Sequence, residues 1–449
     1  MDSNISSNVD FILQESSNLR KEVLINQLMP KIRGGAVGGS TQNEIDEFCE
    51  PNFIYGDVRF NYTYSELKKM AHQYGYDKSE FLYLQFMIQA IQFCGIRIGD
   101  SSALKYVKRI NGFEKGFRYP RIAGLLGTTR FTARITPNSW TGRFATNFVL
   151  YGSAIMIEGH HVGNLKAVFT ASSLYNLAYI TVNQNSEKIL SINPFQQCAQ
   201  NCRFCFKGSR AMNSEFKKTL INLKSHEMIR FLQCEYDSRE FENLNEMVIL
   251  TARFSNKDTL LKYLKDIYYG VIDISRGKFN PMRYENQRIK VSTHLLDDAD
   301  SMLEAKSYGV KRYIYPVEIF NDALRTRYMT SQYYKQGTNK GDVCISKVDK
   351  VLSQAKGIFG TSNVEPVVIL GIDTYDDTKA GIAKIIEMGI KLLTYNVFRV
   401  YDTDQIEMYR MCFEEILDVE HYIKGNFERN FSQKITSSLP KYKEKYMEV

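Results

Sequence analysis

Nowhere in this chain does an apolar run approach the 18 or so residues that would suggest a membrane-spanning helix. The start, Met-Asp-Ser-Asn-Ile, has neither the basic segment nor the apolar stretch of an export signal. The expectation is a cytoplasmic protein with reduced thiols and no membrane partner. Cysteines are few and, outside one cluster, never paired. Cys49, Cys94, Cys234, Cys344 and Cys412 are singles without C-x2-C spacing, and no two histidines stand at metal-finger spacing. That removes the usual signatures of a second metal site or auxiliary cluster. The early loop Arg33-Gly-Gly-Ala-Val-Gly-Gly39 lacks the Gly-Lys-Ser/Thr ending of a Walker loop and the spacing of a dinucleotide fold, so it reads as a linker.

What is present is globular. Hydrophobic content is 44% and charged content 24%, as in ordinary soluble domains. At 449 residues the chain exceeds one typical domain, and two are expected. The net charge of +8 reads as scattered surface Lys and Arg, with a mild bias towards anionic partners. The one basic block, Lys441-Tyr-Lys-Glu-Lys445, reads as a solvated tail.

One stretch carries chemistry: Cys198-Ala-Gln-Asn-Cys202-Arg-Phe204-Cys205, three thiols spaced C-x3-C-x2-C. A closed structural zinc site needs four ligands, and a cubane [4Fe–4S] cluster is normally held by four thiolates. Three thiolates leave one iron open to a substrate or cofactor.

The motif resembles that of the radical S-adenosylmethionine (SAM) superfamily. The resemblance implies a [4Fe–4S] cluster on Cys198, Cys202 and Cys205, with SAM chelating the open iron. An electron then cleaves SAM to methionine and a 5′-deoxyadenosyl radical that abstracts hydrogen from substrate. It also implies a low-potential electron donor of flavodoxin or ferredoxin type.

From the cysteines onward the sequence alternates. Strands are expected at Ile189–Pro194, Met247–Arg253, Ile289–His294, Arg312–Glu318, Glu365–Gly371 and Lys391–Arg399. Helices are expected at Glu215–Cys234, Lys257–Tyr269, Asp297–Tyr308, Lys347–Phe359, Thr378–Met388 and Gln405–Leu417, with a long loop after Glu318. Six β/α units predict α/β architecture with a parallel sheet, matching the partial (β/α)6 barrel of the superfamily. Residues 1–185 are different: helical over about 60–95 and β-rich over about 117–185, a separate α+β domain for substrate recognition. The expected domains are thus 1–185, 186–420 and a basic tail, 421–449.

In such barrels chemistry gathers at the C-terminal ends of strands, which picks out Thr251, Arg253, His294, Glu318, Asp373, Asn396 and Arg399. The barrel is most similar to the clade of biotin synthase, the hydrogenase maturase and the tyrosine lyases. That likeness implies Glu318 at the SAM ribose or ammonium, and Arg325 or Arg327 clamping the SAM carboxylate. Val368-Ile-Leu-Gly371-Ile-Asp373 and Asn396-Val-Phe-Arg399 resemble the fifth- and sixth-strand segments beside adenine, and Phe204 would flank it. The Gly-Gly-Glu that often holds the methionine amine is replaced by Leu250-Thr-Ala-Arg253-Phe-Ser255, which leaves Thr251, Arg253 and Ser255 as candidates. His294 and Cys344 are weaker catalytic candidates.

Glu158-Gly-His160-His-Val-Gly163 approaches a cobalamin motif. Only 34 residues (198 − 163 − 1) separate it from Cys198, too few for the rest of a Rossmann-like lobe, so cobalamin is not expected. The reading is hydrogen abstraction from a small biosynthetic metabolite. Two alternatives stand beside it: radical modification of a peptide or RNA docked by the N-terminal domain, and a non-catalytic SAM-binding iron–sulfur protein.

Overall fold

The computed structural model describes residues 58–105, 121–127, 129–165, 177–182, 187–194, 198, 202–205, 223–251, 254, 256–330, 340–399, 403–427 and 429–432. Arg253 and Ser255, Cys49, the glycine loop 33–39 and the tail beyond 432 lie outside these residues. Contacts divide the chain into two compact units. One takes Ser173–Gln197 and Lys218–Tyr313, and the other takes Gly39–Ser172, Cys198–Lys217 and Ile314–Val449, the first also including Met1–Gly38.

The N-terminal region has its own elements. Helix α1 (Tyr64–Gln73) starts at Thr63, whose hydroxyl accepts from the Glu66 N–H while the Glu66 carboxylate takes the Thr63 N–H, a reciprocal cap that satisfies two orphan donors. Helix α2 (Glu80–Cys94) is capped by Ser79. Strand β1 (Arg97–Ile98) is followed by the hairpin β2 (Arg121–Leu126) and β3 (Thr129–Arg134). Then come β4 (Phe148–Tyr151), β5 (Ala154–Ile157) and β6 (His160–Asn164), in a sheet ordered β1-β4-β5-β6. His160 lies in β6, stacked 3.8 Å from the Tyr64 ring, so the cobalamin-like stretch is a sheet edge.

The other unit holds β7 (Ala178–Val182), β8 (Lys188–Ile192), α3 (Ser225–Glu235), β9 (Leu244–Leu250), α4 (Lys257–Ile274), β10 (Arg288–Ser292), α5 (Ala299–Ser307) and the start of β11 (Val310–Glu318). Asn256 caps α4 by accepting from the Thr259 N–H, as Asn at that position favours. The chain continues through α6 (Asp322–Met329), α7 (Ile345–Phe359), β12 (Val364–Leu370), α8 (Tyr375–Glu387), β13 (Leu392–Val397), α9 (Phe413–Asn426) and β14 (Arg429–Ser432). The strand order is β14-β13-β12-β11-β10-β9-β8-β7. The pairs β8–β9, β9–β10, β12–β13 and β13–β14 are parallel, and β7 is antiparallel to β8. All six expected strands are present and consecutive, in the alternating α/β order of a partial (β/α)6 barrel.

Four details differ from expectation. The loop after Glu318 contains α6, which Asn321 caps by accepting from the Ala323 and Leu324 N–H groups; the helix is only eight residues and its apolar pattern is weak. The last helix begins at Phe413, not Gln405, because Thr403–Met408 forms a 3₁₀ turn first. Residues 421–432 complete α9 and add β14 to the sheet, so the basic tail as drawn overlaps structured chain. The compact units also do not follow the boundary at 185.

The reason for that last difference is an aromatic interlock within one unit. Phe60 and Phe93 lie 5.3 Å apart, and Tyr409 sits 5.4 and 5.1 Å from them. Phe413 is 5.4 Å from Phe93 and 5.8 Å from Phe86. The Tyr62 hydroxyl donates to Glu414 at 2.5 Å and accepts from the Phe413 N–H. Each edge or tilted aromatic pair adds about 0.5–1.5 kcal/mol beyond area burial, so the N-terminal region is bound to the last β/α unit by core packing. Phe93 is fully buried. Phe93→Ala is expected to lower unfolding free energy by about 3–5 kcal/mol, read by denaturant titration of the full chain.

Candidate functional site

Three thiols set the location. Cys202 is buried, Cys198 and Cys205 are partly exposed, and none forms a disulfide. The Cys205 N–H donates to the Cys202 carbonyl at 3.0 Å, a tight turn. Arg203 fixes it from two sides: its N–H donates to the Tyr328 carbonyl at 2.8 Å, and its carbonyl accepts from the Gln405 amide. Its guanidinium lies 5.6 Å from the Tyr328 ring centre. Tyr328 is itself buried and accepts from Arg410 at 3.0 Å. Phe204 is buried beside the thiols.

At the end of β11, Glu318 has φ +63°, and the Ile319 N–H donates to the Val317 carbonyl at 2.8 Å. This is a γ-turn of the rare positive-φ kind, which is strained in any L-residue. Such strain costs on the order of 1–3 kcal/mol and persists only where the surroundings over-determine it. Here Arg325 does so. Its side chain is 1% exposed, and its guanidinium donates to the carbonyls of Val317 (2.6 Å), Ile319 (2.7 Å), Val343 (2.8 Å) and Lys340 (3.2 Å).

The same clamp delivers Lys340. Its Nζ donates to Glu318 Oε2 at 2.8 Å, with the two side chains 13% and 16% exposed. Gly341 makes the approach feasible, because a Cβ there would stand 2.8 Å from the Arg325 carbonyl. Burial works against the Lys340 ammonium. Glu318, then Cys202 and Cys198, outweigh it and hold its pKa above the ordinary lysine range. Burial conversely pushes the Cys202 thiol well up, and the Lys340 cation opposes that rise. The ammonium is therefore a positive charge that the Cys202 thiol feels.

These residues fit a cluster better than a single ion. Among the described residues no group of three or more His, Cys, Asp or Glu is gathered to hold one metal ion. A zinc ion would draw its thiolates to about 2.3 Å from one centre, whereas a four-iron cluster holds them farther apart. Three thiols outside any disulfide, spaced C-x3-C-x2-C with a buried cation in the same unit, suit a cluster with one open iron.

The remaining expected site residues fall into distinct places. Arg325 gives four of its donors to backbone carbonyls and so holds the turn. Arg327 is exposed, 5.4 Å from the Tyr328 ring centre. Asp373, 1% exposed, accepts from the Phe320 and Asn321 N–H groups at 2.6 and 3.1 Å, tying β12 to the turn after β11. Gly371 has φ +104° and its carbonyl accepts from the Arg410 N–H. Thr251 donates to the Ser292 carbonyl at 2.5 Å, a link between β9 and β10 within the first unit, where the half-buried His294 also lies. Cys344 is exposed and precedes α7, its thiol lowered by the Ser346 hydroxyl and the Lys347 N–H. Asn396 and Arg399 line a cleft with α2 and α9 that none of the three cluster thiols lines. Sequence reasoning missed Lys340, Tyr328 and Gln405. Only the basic-glycine step at Lys340-Gly341 hinted at a placed cation.

No known family profile matches the chain, and no curated protein matches it. Solved structures do. HemN from Escherichia coli, a radical SAM enzyme, is 12% identical with a TM-score of 0.35, over 56% of this chain and 59% of that one. SuiB from Streptococcus suis, bound to SAM, is 12% identical with a TM-score of 0.34, over 53% and 49%. TsrM from Kitasatospora setae, a radical SAM methyltransferase with cobalamin and a [4Fe–4S] cluster, is 8% identical with a TM-score of 0.32, over 46% and 36%. The chain thus spans about a third to three fifths of the lengths of these proteins. Likeness at this level carries no functional weight, which rests instead on the residues above. Among the described residues no helix is long and apolar enough to cross a membrane.

Two outcomes follow from the geometry. Lys340→Met leaves the Glu318 carboxylate buried without its cation and is expected to cost about 3–5 kcal/mol of stability, measured by chemical unfolding. Burial raises the Asp373 carboxyl to about 6. A raised carboxyl binds its proton more tightly in the folded state, so its contribution is present below pH 4 and lost as pH rises through 6. Asp373→Asn should flatten the fall in unfolding free energy between about pH 4 and 6; an unchanged slope would contradict this assignment.

Proposed function

We propose that this chain is a radical SAM enzyme that holds a [4Fe–4S] cluster through Cys198, Cys202 and Cys205. The reaction is abstraction of hydrogen from a C–H bond of a small metabolite. The observation that carries the reading is the strained Glu318 turn with its buried Lys340 partner, within electrostatic reach of Cys198 and Cys202, in the same unit as the three-thiol loop. Strain of this kind clusters at functional sites. When bound, the cluster and SAM supply reductive cleavage and a carbon radical. The chain supplies what the chemistry needs around them. Arg203, Gln405 and Tyr328 set the thiol loop. Lys340 offsets thiolate charge in a region where burial would otherwise keep Cys202 protonated. Glu318 offers a carboxylate oxygen at a strand end, where the resemblance places the SAM ribose or ammonium. Burial of Phe204 and Cys202 restricts water beside the loop. The electron arrives from a low-potential donor.

The test is anaerobic reconstitution with iron and sulfide, reduction in the presence of SAM, and mass spectrometry for 5′-deoxyadenosine. The wild-type chain should show cluster absorbance and produce 5′-deoxyadenosine. Cys202→Ala should abolish both, and retained cleavage in that variant would sink the ligand assignment.

A further inference from the structure

A second site lies away from the thiols. Helix α2 carries Gln85, Gln89 and Gln92 at i, i+4 and i+7, one face of a helix, and they line a cleft of about 140 Å³ with Asn396 and Arg399 after β13 and Glu420 on α9. All belong to one compact unit. The apolar wall comes from Leu82, Ile88 and Phe413.

The polar groups are conspicuously unspent. Among the described residues, the side chains of Gln85, Gln92, Asn396 and Arg399 make no hydrogen bond or ion pair. Gln89 Nε2 donates to Glu420 Oε1 at 3.4 Å, but its buried carbonyl oxygen has no partner. Polar groups that line a cavity are normally satisfied by the protein, water or a ligand. The charges around the cleft also fail to cancel. Glu420 accepts from the Tyr76 hydroxyl at 3.1 Å and lies 3.9 Å from Lys424, and Lys424 donates to Tyr76 at 2.7 Å. Among the described residues that line the cleft, the remaining charged side chain is the Arg399 guanidinium.

We infer that this cleft binds a small organic carboxylate that also carries a hydrogen-bond donor and a short apolar body, as an α-amino or α-hydroxy acid does. Arg399 pairs with the carboxylate, since a planar guanidinium matches its two oxygens. The amides complete the anion's hydrogen bonds, and the Gln89 carbonyl takes the ligand's donor. The apolar body lies against Leu82, Ile88 and Phe413. The volume suits the occupant: one water takes about 30 Å³ of liquid, so the cleft holds an amino-acid-sized molecule. The site needs no cluster, so it stands or falls separately from the radical reading.

The experiment is isothermal titration of the full-length chain with L-leucine, L-leucinamide and 4-methylpentanoate. Leucine should bind. Leucinamide, without the carboxylate, should bind at least about tenfold more weakly, and Arg399→Gln should weaken leucine by about 10- to 100-fold, the range for one charge-assisted pair. 4-Methylpentanoate, without the donor, should fall between. If Arg399→Gln does not fold, Arg399→Lys replaces it and should show an intermediate loss, since the charge stays and the fork is gone. Cys202→Ala should bind leucine as the wild-type chain does. Absence of leucine binding, equal affinity for leucine and leucinamide, or an unchanged affinity in the Arg399 variant would each overturn the assignment.

Discussion

A buried carboxylate needs a counter-charge, and in this chain that need organises the site. Glu318 stands in a positive-φ turn at the end of β11, where its side chain is largely removed from water. Lys340 meets it at 2.8 Å. Neither placement is stable alone, since a lone buried charge costs several kcal/mol. Arg325 makes both possible by bonding to carbonyls before and after Glu318 and to the Lys340 carbonyl itself. One guanidinium therefore couples a strained strand end to a loop twenty-odd residues later. The cation so delivered acts on Cys202.

The thiol loop depends on the same neighbourhood. Tyr328, at the end of the helix that carries Arg325, gives its carbonyl to Arg203 between the second and third cysteines. Gln405 holds the other side of that residue. The spacing C-x3-C-x2-C sets which atoms can face one centre, while α6 and the 3₁₀ turn before α9 decide where that centre lies. The short helix α6 thus has two duties, which accounts for the burial of Arg325 and Tyr328 beside the apolar Met329.

Helix α9 is the common wall of the remaining structure. Its first turn packs Phe413 into the aromatic interlock with Phe86 and Phe93, and further along it places Glu420 and Lys424 at the polar cleft. The N-terminal region is therefore part of the same packed unit as the last strands. The amide row on α2 lies on a helix whose Phe86 and Phe93 are buried in that interlock, so its position relative to Asn396 and Arg399 is fixed by core packing.

The alternation of strands and helices was legible because the strands are short apolar runs and the longer helices have a repeating apolar face, which α6 lacks. The three thiols were legible because their spacing is local. Glu318 was legible as a strand-end carboxylate. Lys340, Tyr328 and Gln405 were not, since nothing about a lysine in a loop or a tyrosine in a polar helix marks it before the chain folds. Arg325 was noticed for its type, yet its donors are consumed by carbonyls at Val317, Ile319, Lys340 and Val343, partners scattered over 27 residues of chain (343 − 317 + 1). The contacts that bind the N-terminal region were not legible for a related reason: they join Phe60 and Phe93 to Tyr409 and Phe413, over 300 residues away. By itself the sequence determined what short-range spacing and periodicity can encode, namely the three-thiol loop and the order of elements. Tertiary structure alone decided which charge meets which and which surfaces fuse, because desolvation and aromatic packing act between residues that are neighbours only after folding.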